Sequence, residues 1–375
     1  MKNQAVALDL RLINHVQIDT ASSTAKVGGG APLGDVDRAL QQQGFITPVA
    51  SISRVAYAGW AMYSGYGPYS SRFGLGVDRI VGAKVINAQG EPVEADADLL
   101  KAIRGAEGAF GVIVELTISI YKLDWILSGV LFKSDDDLPT VVRQYNEGYR
   151  ALLSAEGMQA TPLERPPVCS ECAHANIWTS LQGASEDLET GNQWVERMST
   201  LGPVVANAVQ PRTPLAWLHE QDRLVAKSTQ GQTFTISVRA ITVEVADVIA
   251  RYTSSMPADP HITFDMHKLR DCSLSAKANA GSVFSAREGH FMCEVTAIVD
   301  RDSLEATLAW GREFGEALRK TSAENIVPAS YVSCLTRDDF EPDRICGNIL
   351  QLLKRVKERA DPENTFQNAI SYLEQ

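Results

Sequence analysis

The residues best suited to chemistry lie between Val55 and Val85, in VAYAGWAMYSGYGPYSSRFGLGVDRIVGAKV, where Gly59, Gly65, Gly67, Gly74 and Gly76 fall within eighteen positions. Such spacing lets a backbone approach a ligand closely and aim its amides at an anionic group. No G-x-G-x-x-G opens a helix after a strand here and no Walker lysine follows, so neither a Rossmann nor a P-loop site is indicated. On glycine count alone, a loop that needs positive φ angles is the favoured explanation.

Other candidates are thinner. Cys169, Cys172 and His174 have the spacing of half a zinc site, but no second pair follows, which favours a structural role. His267 and His290 could face a substrate or be satisfied core histidines. Arg104 reads as an internal ion-pair partner. Neither a G-x-S-x-G elbow nor an H-E-x-x-H pair is present, so hydrolase and metalloprotease chemistry has no support.

The 375 residues suffice for two domains, and with 45% hydrophobic and 22% charged residues the composition is that of a globular protein. A net charge of -11 and a pI near 5.1 argue against nucleic acid as a partner, because phosphate binding needs a basic field. Six scattered cysteines are too few for a disulfide scaffold in a chain this long. No apolar run reaches the roughly 20 residues of a membrane span, and the first residues lack the pattern of a secretory signal; a soluble protein, away from membranes, is expected.

Local patterns predict the elements that must hold these residues. Leu8, Leu10 and Leu12 alternate with Asp9 and Arg11 as in a strand, and Val16 to Ile18 reads as another. Leu33, Val36 and Leu40 share one face of a helix over 32–43, with Gly44 as its C-cap. Val81, Ala83 and Val85 lead through a turn at Gln89 and Gly90 into Pro92 and Val93, a hairpin. Val112, Val114, Leu116, Ile118 and Ile120 form the longest period-two run. Farther on, a helix is predicted from Asp302, with Glu305 completing a capping box and Leu304, Leu308, Gly311, Gly315 and Leu318 along one side. Another is predicted from about Pro342, with Ile345, Ile349, Leu352 and Val356 inward, ending before Asp361 and Pro362.

Several words of the sequence resemble the FAD-linked oxidase superfamily, and within it the berberine bridge enzymes and fungal FAD-dependent oxidoreductases. Val55 to Gly67 matches V-G-x-G-G-H-x-x-G-G-G-x-G without gaps. SSRFGLGVDRIVGAKVINAQGE, DLLKAIRGAEGAFGVIVELTI and RADPENTFQNAI are similar to three further family words, in the family's order. MHKLRDCSLSAKANAGSVFSAREGHFMCEV is similar to a pattern of fungal members whose role the sequence does not reveal.

The resemblance implies an α+β fold: a PCMH-type (vanillyl-alcohol-oxidase-like) FAD-binding domain over 1–123, an antiparallel-sheet substrate domain flanked by helices over 124–335, and a segment over 336–375 that returns to the first domain. It implies FAD as cofactor, near Ser53, Val55, Gly59, Gly65, Gly67, Gly111, Ile113 and Asn364. It also implies hydride transfer from a small-molecule substrate to the flavin, molecular oxygen as reoxidant, and Tyr331 as candidate catalytic base.

The match has departures. Nothing corresponds to the family's upstream R-S-G-G-H turn and its flavin-linking histidine, and His15 lies too late; a domain lacking its N-terminal subdomain is the expectation. Ser51-Ile52-Ser53 stands where the second covalent anchor, a cysteine, is found. Ala56, Ala58, Tyr63 and Ser64 replace glycines and Trp60 replaces the histidine, which should crowd a cofactor unless the loop shifts, Tyr63 most of all. A flavin-deficient relative that only binds a small molecule, or a truncated product that hardly folds alone, are the alternatives.

Overall fold

A computed structural model describes residues 6–133, 163–165, 167–169, 177–183, 188–201, 204–224, 230–257, 262–269, 281–299, 304–327 and 349–367, with a few isolated positions besides. The first sheet is antiparallel throughout, in the order Val16–Asp19, Thr24–Gly28, Val112–Ser119, Ile80–Ile86, Pro92–Glu94. Its middle strand is the long period-two run, and the hairpin turns at Gly90 with φ 81°. The helices Leu33–Gln41, Tyr57–Met62, Ala97–Ala106 and Leu350–Ala360 build one hydrophobic cluster with this sheet. Leu33, Val36 and Leu40 are buried on one face, as their spacing requires, and Gly44 follows in the left-handed region at φ 73°.

Two further antiparallel sheets are drawn from residues 126–299. The central one runs Pro167–Cys169, Thr263–Leu269, His290–Val299, Gln230–Val238, and the other is built on Ile126–Lys133 and Ile177–Gly183. Along the central sheet, Phe234, Ile236, Phe264, Met266, Cys293 and Val295 alternate inward onto the helices Val243–Ser254 and Leu304–Arg319. Gly311 and Gly315 let Leu304–Arg319 lie close on Phe234 and Ile236. The opposite face carries Thr235, Ser237, Asp265, His267, Glu294 and His290.

Two predicted elements come out differently. Leu8 to Leu12 is not a strand: Leu8 and Leu12 are 65% and 95% exposed, and Ile13 N–H closes a turn on Leu10 C=O. The chain there crosses directly over Gly28 and Gly30, whose amides donate to His15 and Ile13 C=O at 2.9 Å, and side chains on those two glycines would strike it. Leu304–Arg319 and Leu350–Ala360 are helices as expected, but the capping positions at 302–303 and residues 342–348 lie outside the described residues.

Candidate active site

The glycine-rich segment is not a ligand-wrapping loop along its whole length. Tyr57–Met62 forms a short helix whose Tyr57, Ala58, Trp60, Ala61 and Met62 are buried. Gly59 lies in its first turn, where amides have no helical acceptor. The chain then turns through Ser64 (φ 103°) and Gly65 (φ 71°). A positive φ at a serine is costly and marks a position that the surrounding structure enforces. Here the backbones of two glycines cross: Gly76 N–H donates to Gly65 C=O at 2.9 Å, Val77 N–H donates to Ser64 C=O at 3.2 Å, and a Cβ on Gly65 would lie 2.5 Å from Gly76 Cα. Gly67 is pressed just as closely against Val49 C=O. Gly65 and Gly67 are therefore demanded by the protein's own packing, whatever else they touch.

The departures from the family pattern are absorbed without crowding this turn. Trp60 is buried, and its Nε1–H donates to Tyr66 C=O at 3.0 Å. Tyr63 is half-buried with φ -97°, an unstrained value. Ser53 and Val55 lie on the loop before the helix: Gly34 N–H donates to Ser53 C=O and Leu33 N–H to Val55 C=O, each at 2.8 Å. Gly111 is at φ 154° and packs on Val85 and Ile86. The Ile113 side chain is in the core.

This segment meets the polar face of the central sheet. Tyr66 Oη lies 2.9 Å from His290 Nε2, while His290 Nδ1 lies 2.7 Å from Glu288 C=O. A carbonyl only accepts, so Nδ1 carries the hydrogen, and in the neutral ring Nε2 accepts from the Tyr66 hydroxyl. The Glu288 carboxylate is in turn paired with Arg239 through two hydrogen bonds of 2.9 and 2.8 Å. Beside this pair, Arg287 grips Asp78 at 2.7 and 2.8 Å, both side chains being nearly inaccessible, and also donates to Ser282 Oγ and Phe284 C=O. The stretch Ser282–Arg287, whose role the sequence does not reveal, is thus a strap that docks the sheet on the glycine-rich segment. Its Val283 N–H donates to Arg104 C=O at 2.9 Å. Arg104 is not the ion-pair partner expected: among the described residues its guanidinium donates to the carbonyls of Val77 and Asp78, and burial lowers its pKa.

His267, the other candidate histidine, lies 3.0 Å from Glu294 Oε2 on the same polar face. Tyr331 lies outside the described residues, as do Cys172 and His174; Cys169 ends a strand. Among the described residues no group of three or more His, Cys, Asp or Glu could hold a metal ion, and no helix is long and apolar enough to cross a membrane. Tyr66 and Arg287 were missed from the sequence. Only Tyr66 offered a signal, an aromatic residue held between two glycines.

At the other end of the chain, Lys357 Nζ donates to Ala109 C=O at 2.8 Å and to Asp361 Oδ2 at 2.6 Å. Asp361 also accepts the Thr365 and Phe366 amides, each at 2.8 Å. Burial pushes this carboxyl's pKa up, but the Lys357 hydrogen bond and the two amides outweigh it, and the net shift is downward. The turn so fixed holds Asn364 at φ 53°. Asn364 Oδ1 and Ser64 Oγ are both buried with no hydrogen-bond partner among the described residues. Buried polar atoms without a partner are rare, and in segments this constrained they suit a polar ring system such as a flavin, which presents both donors and acceptors.

A family model described as an FAD binding domain matches residues 1–96. The chain is 26% identical over 377 residues to the FAD-linked oxidoreductase aurO of Gibberella zeae, covering 96% of this chain and 71% of that protein. Over 122 residues it is 35% identical to the (R)-6-hydroxynicotine oxidase of Paenarthrobacter nicotinovorans, covering 32% of this chain and 27% of that one. Among solved structures, the 6-hydroxy-D-nicotine oxidase of Arthrobacter nicotinovorans superposes with a TM-score of 0.80 at 19% identity, over 95% of this chain and 80% of its own. The xylooligosaccharide oxidase of Myceliophthora thermophila, in complex with xylobiose, gives 0.79 at 18%, over 95% and 79%. Fold and matches together define an FAD-dependent oxidoreductase of α+β, PCMH-type architecture. The first 96 residues match the FAD binding domain, and over nearly its whole length the chain is similar to FAD-linked oxidoreductases.

Proposed function

We propose that the chain oxidises a small organic molecule held between the glycine-rich segment and the polar face of the central sheet, with Tyr66 and His290 as its proton relay. FAD, when bound, supplies the two-electron acceptor for the hydride, and molecular oxygen serves as reoxidant. In this reading a substrate O–H or N–H gives its proton to Tyr66 Oη as the phenol's own proton passes to His290 Nε2. Glu288 C=O holds Nδ1–H throughout, so the ring is already in the tautomer that can accept. The observation that carries the reading is the Tyr66–His290 hydrogen bond, because it joins the FAD-binding part to the sheet.

Ser53, Val55, Gly59, Gly65, Gly67, Gly111 and Asn364 line the cofactor in the same reading, and Ile113 contributes main chain only. Residues 1–123 hold FAD, 124–335 the substrate, and 336–375 return to the first part. That last division is supported by Leu350, Leu353 and Val356, which pack in the first hydrophobic cluster. Tyr331 stays a second candidate base.

The test is anaerobic mixing of FAD-loaded protein with a panel of small alcohols and amines, following loss of the flavin's visible absorbance. Tyr66→Phe and His290→Gln are expected to slow bleaching by roughly 10²- to 10⁴-fold at unchanged FAD affinity. Bleaching at the wild-type rate in both variants would remove the relay. A folded, colourless protein indifferent to added FAD would remove the whole reading.

A further inference from the structure

The loop Ser53–Val55 is held from two sides. From one side, the first turn of Leu33–Gln41 donates the Gly34 and Leu33 amides to Ser53 and Val55 C=O. The fit is tight enough that a Cβ on Gly34 would lie 2.8 Å from Ser53 Cβ. From the other, the helix Pro214–Leu224 supplies the Asp222 carboxylate, which accepts Ser53 N–H at 2.9 Å across 169 residues of sequence. That helix lies in the part read as the substrate domain, yet its Trp217 and Leu218 are buried in the hydrophobic cluster of the first sheet. The loop's outer side, Arg54 to Ala56, faces solvent.

We propose that Asp222 is a positioning residue for FAD: it fixes the Ser53 main chain from behind, so that the exposed side of the loop is preorganised for the cofactor. The inference rests on the reading of Ser53 and Val55 as cofactor neighbours and adds a residue from the opposite half of the molecule. A hydrogen bond to a charged acceptor is worth more than a neutral one, and its loss lets the loop sample other positions that the cofactor must then reorder. No contact between Asp222 and the cofactor is required.

The test is titration of the cofactor-free full chain with FAD, following quenching of flavin fluorescence, for wild type, Asp222→Ala, Asp222→Asn and Asp222→Glu. Asp222→Ala is expected to weaken FAD binding about tenfold, as loss of one such bond implies, while the FAD-free protein stays folded with its melting temperature lowered by no more than a few degrees. Asp222→Asn keeps an acceptor oxygen in place and is expected to restore affinity to within about threefold of wild type. Asp222→Glu moves the carboxylate by one methylene and should fall between them, which keeps the test decisive should Asp222→Ala fail to fold. Hydrogen exchange of the peptide spanning 48–58 should quicken in the weakened variants and nowhere else. Wild-type affinity in Asp222→Ala or Asp222→Glu, or an Asp222→Asn as weak as the alanine variant, would overturn the positioning role and leave the function standing. A wild type that takes up no FAD would overturn both.

Discussion

Among the described residues, two seams join the FAD-binding part to residues 124–335, and each buries an aspartate in the opposite state. At the strap, Asp78 is gripped by both ends of the Arg287 guanidinium, and Asp78 Oδ2 also accepts Leu75 N–H at 3.2 Å. Where Leu33–Gln41 meets Pro214–Leu224, Asp37 sits on the buried stripe with Leu33, Val36 and Leu40, and neither of its oxygens has a partner among the described residues. The amide nitrogen of Gln41, one turn on, and the hydroxyl of Tyr69, edge-on to Trp217, are likewise buried without partners among the described residues. Burial pushes the Asp37 carboxyl up to about 7, with Arg38 pulling weakly the other way, and raises Tyr69 as well. A satisfied charge fixes geometry; an unsatisfied one makes its seam responsive to pH.

The largest effect is expected from unbalancing the satisfied seam. Arg287→Met leaves Asp78 charged and buried without its guanidinium, and should cost up to about 5 kcal/mol in urea denaturation of the FAD-free protein. A cost below about 1 kcal/mol would show that solvent reaches Asp78.

The second prediction concerns Asp37. Its folded pKa, about 7, lies above its ordinary value of 3.8. The folded state therefore binds the extra proton, and stability should fall as pH rises from about 4 to about 7, then level off. With the folded and unfolded values that far apart, the full loss is roughly 4 kcal/mol. The groups that act on it are Arg38 on its own helix and Tyr69; the helix packed against it carries His219, Glu220, Asp222 and Arg223, of which His219, Glu220 and Arg223 are exposed. Asp37→Asn should abolish this slope and raise stability above neutral pH. A slope that persists in the variant would show that Asp37 does not carry it.

A smaller effect of opposite sign belongs to the C-terminal turn. Asp361 has a lowered pKa, so its contribution is present above the unfolded carboxyl's value and is lost as pH falls through its folded one. Asp361→Asn keeps an acceptor but not the charge opposite Lys357, and should cost about 2 kcal/mol at neutral pH and nothing in strong acid. Smallest of all, Tyr66→Phe should cost about 1 kcal/mol of stability, the value of one neutral hydrogen bond, however strongly it slows turnover.

The seams explain what could be read from the sequence. Val112–Ser119, the hairpin Ile80–Glu94 and the helix Leu33–Gln41 were legible because their burial patterns repeat within a few residues. Leu8 to Leu12 shows the limit: alternation in a chain that crosses over glycines resembles alternation in a strand. Tyr57–Met62 was hidden because nearly every residue in it is buried, which leaves no period to see. At the site, the glycine-rich segment and His290 stood out by residue type. Their partners did not, since Tyr66 and His290 are 224 residues apart and Asp78 and Arg287 are 209 apart, and no local pattern encodes such pairs. Asp37, a charged residue on an apolar helix face, was visible in the helical spacing but carried no chemistry to single it out.

The most direct measurement is a crystal structure of the FAD-loaded full chain. The flavin ring is expected within hydrogen-bond distance of Ser64 Oγ and Asn364 Oδ1, two buried atoms left without partners among the described residues, with Tyr66 and His290 facing its open side. A flavin bound elsewhere, with those two atoms satisfied by water or by other parts of the chain, would contradict the site.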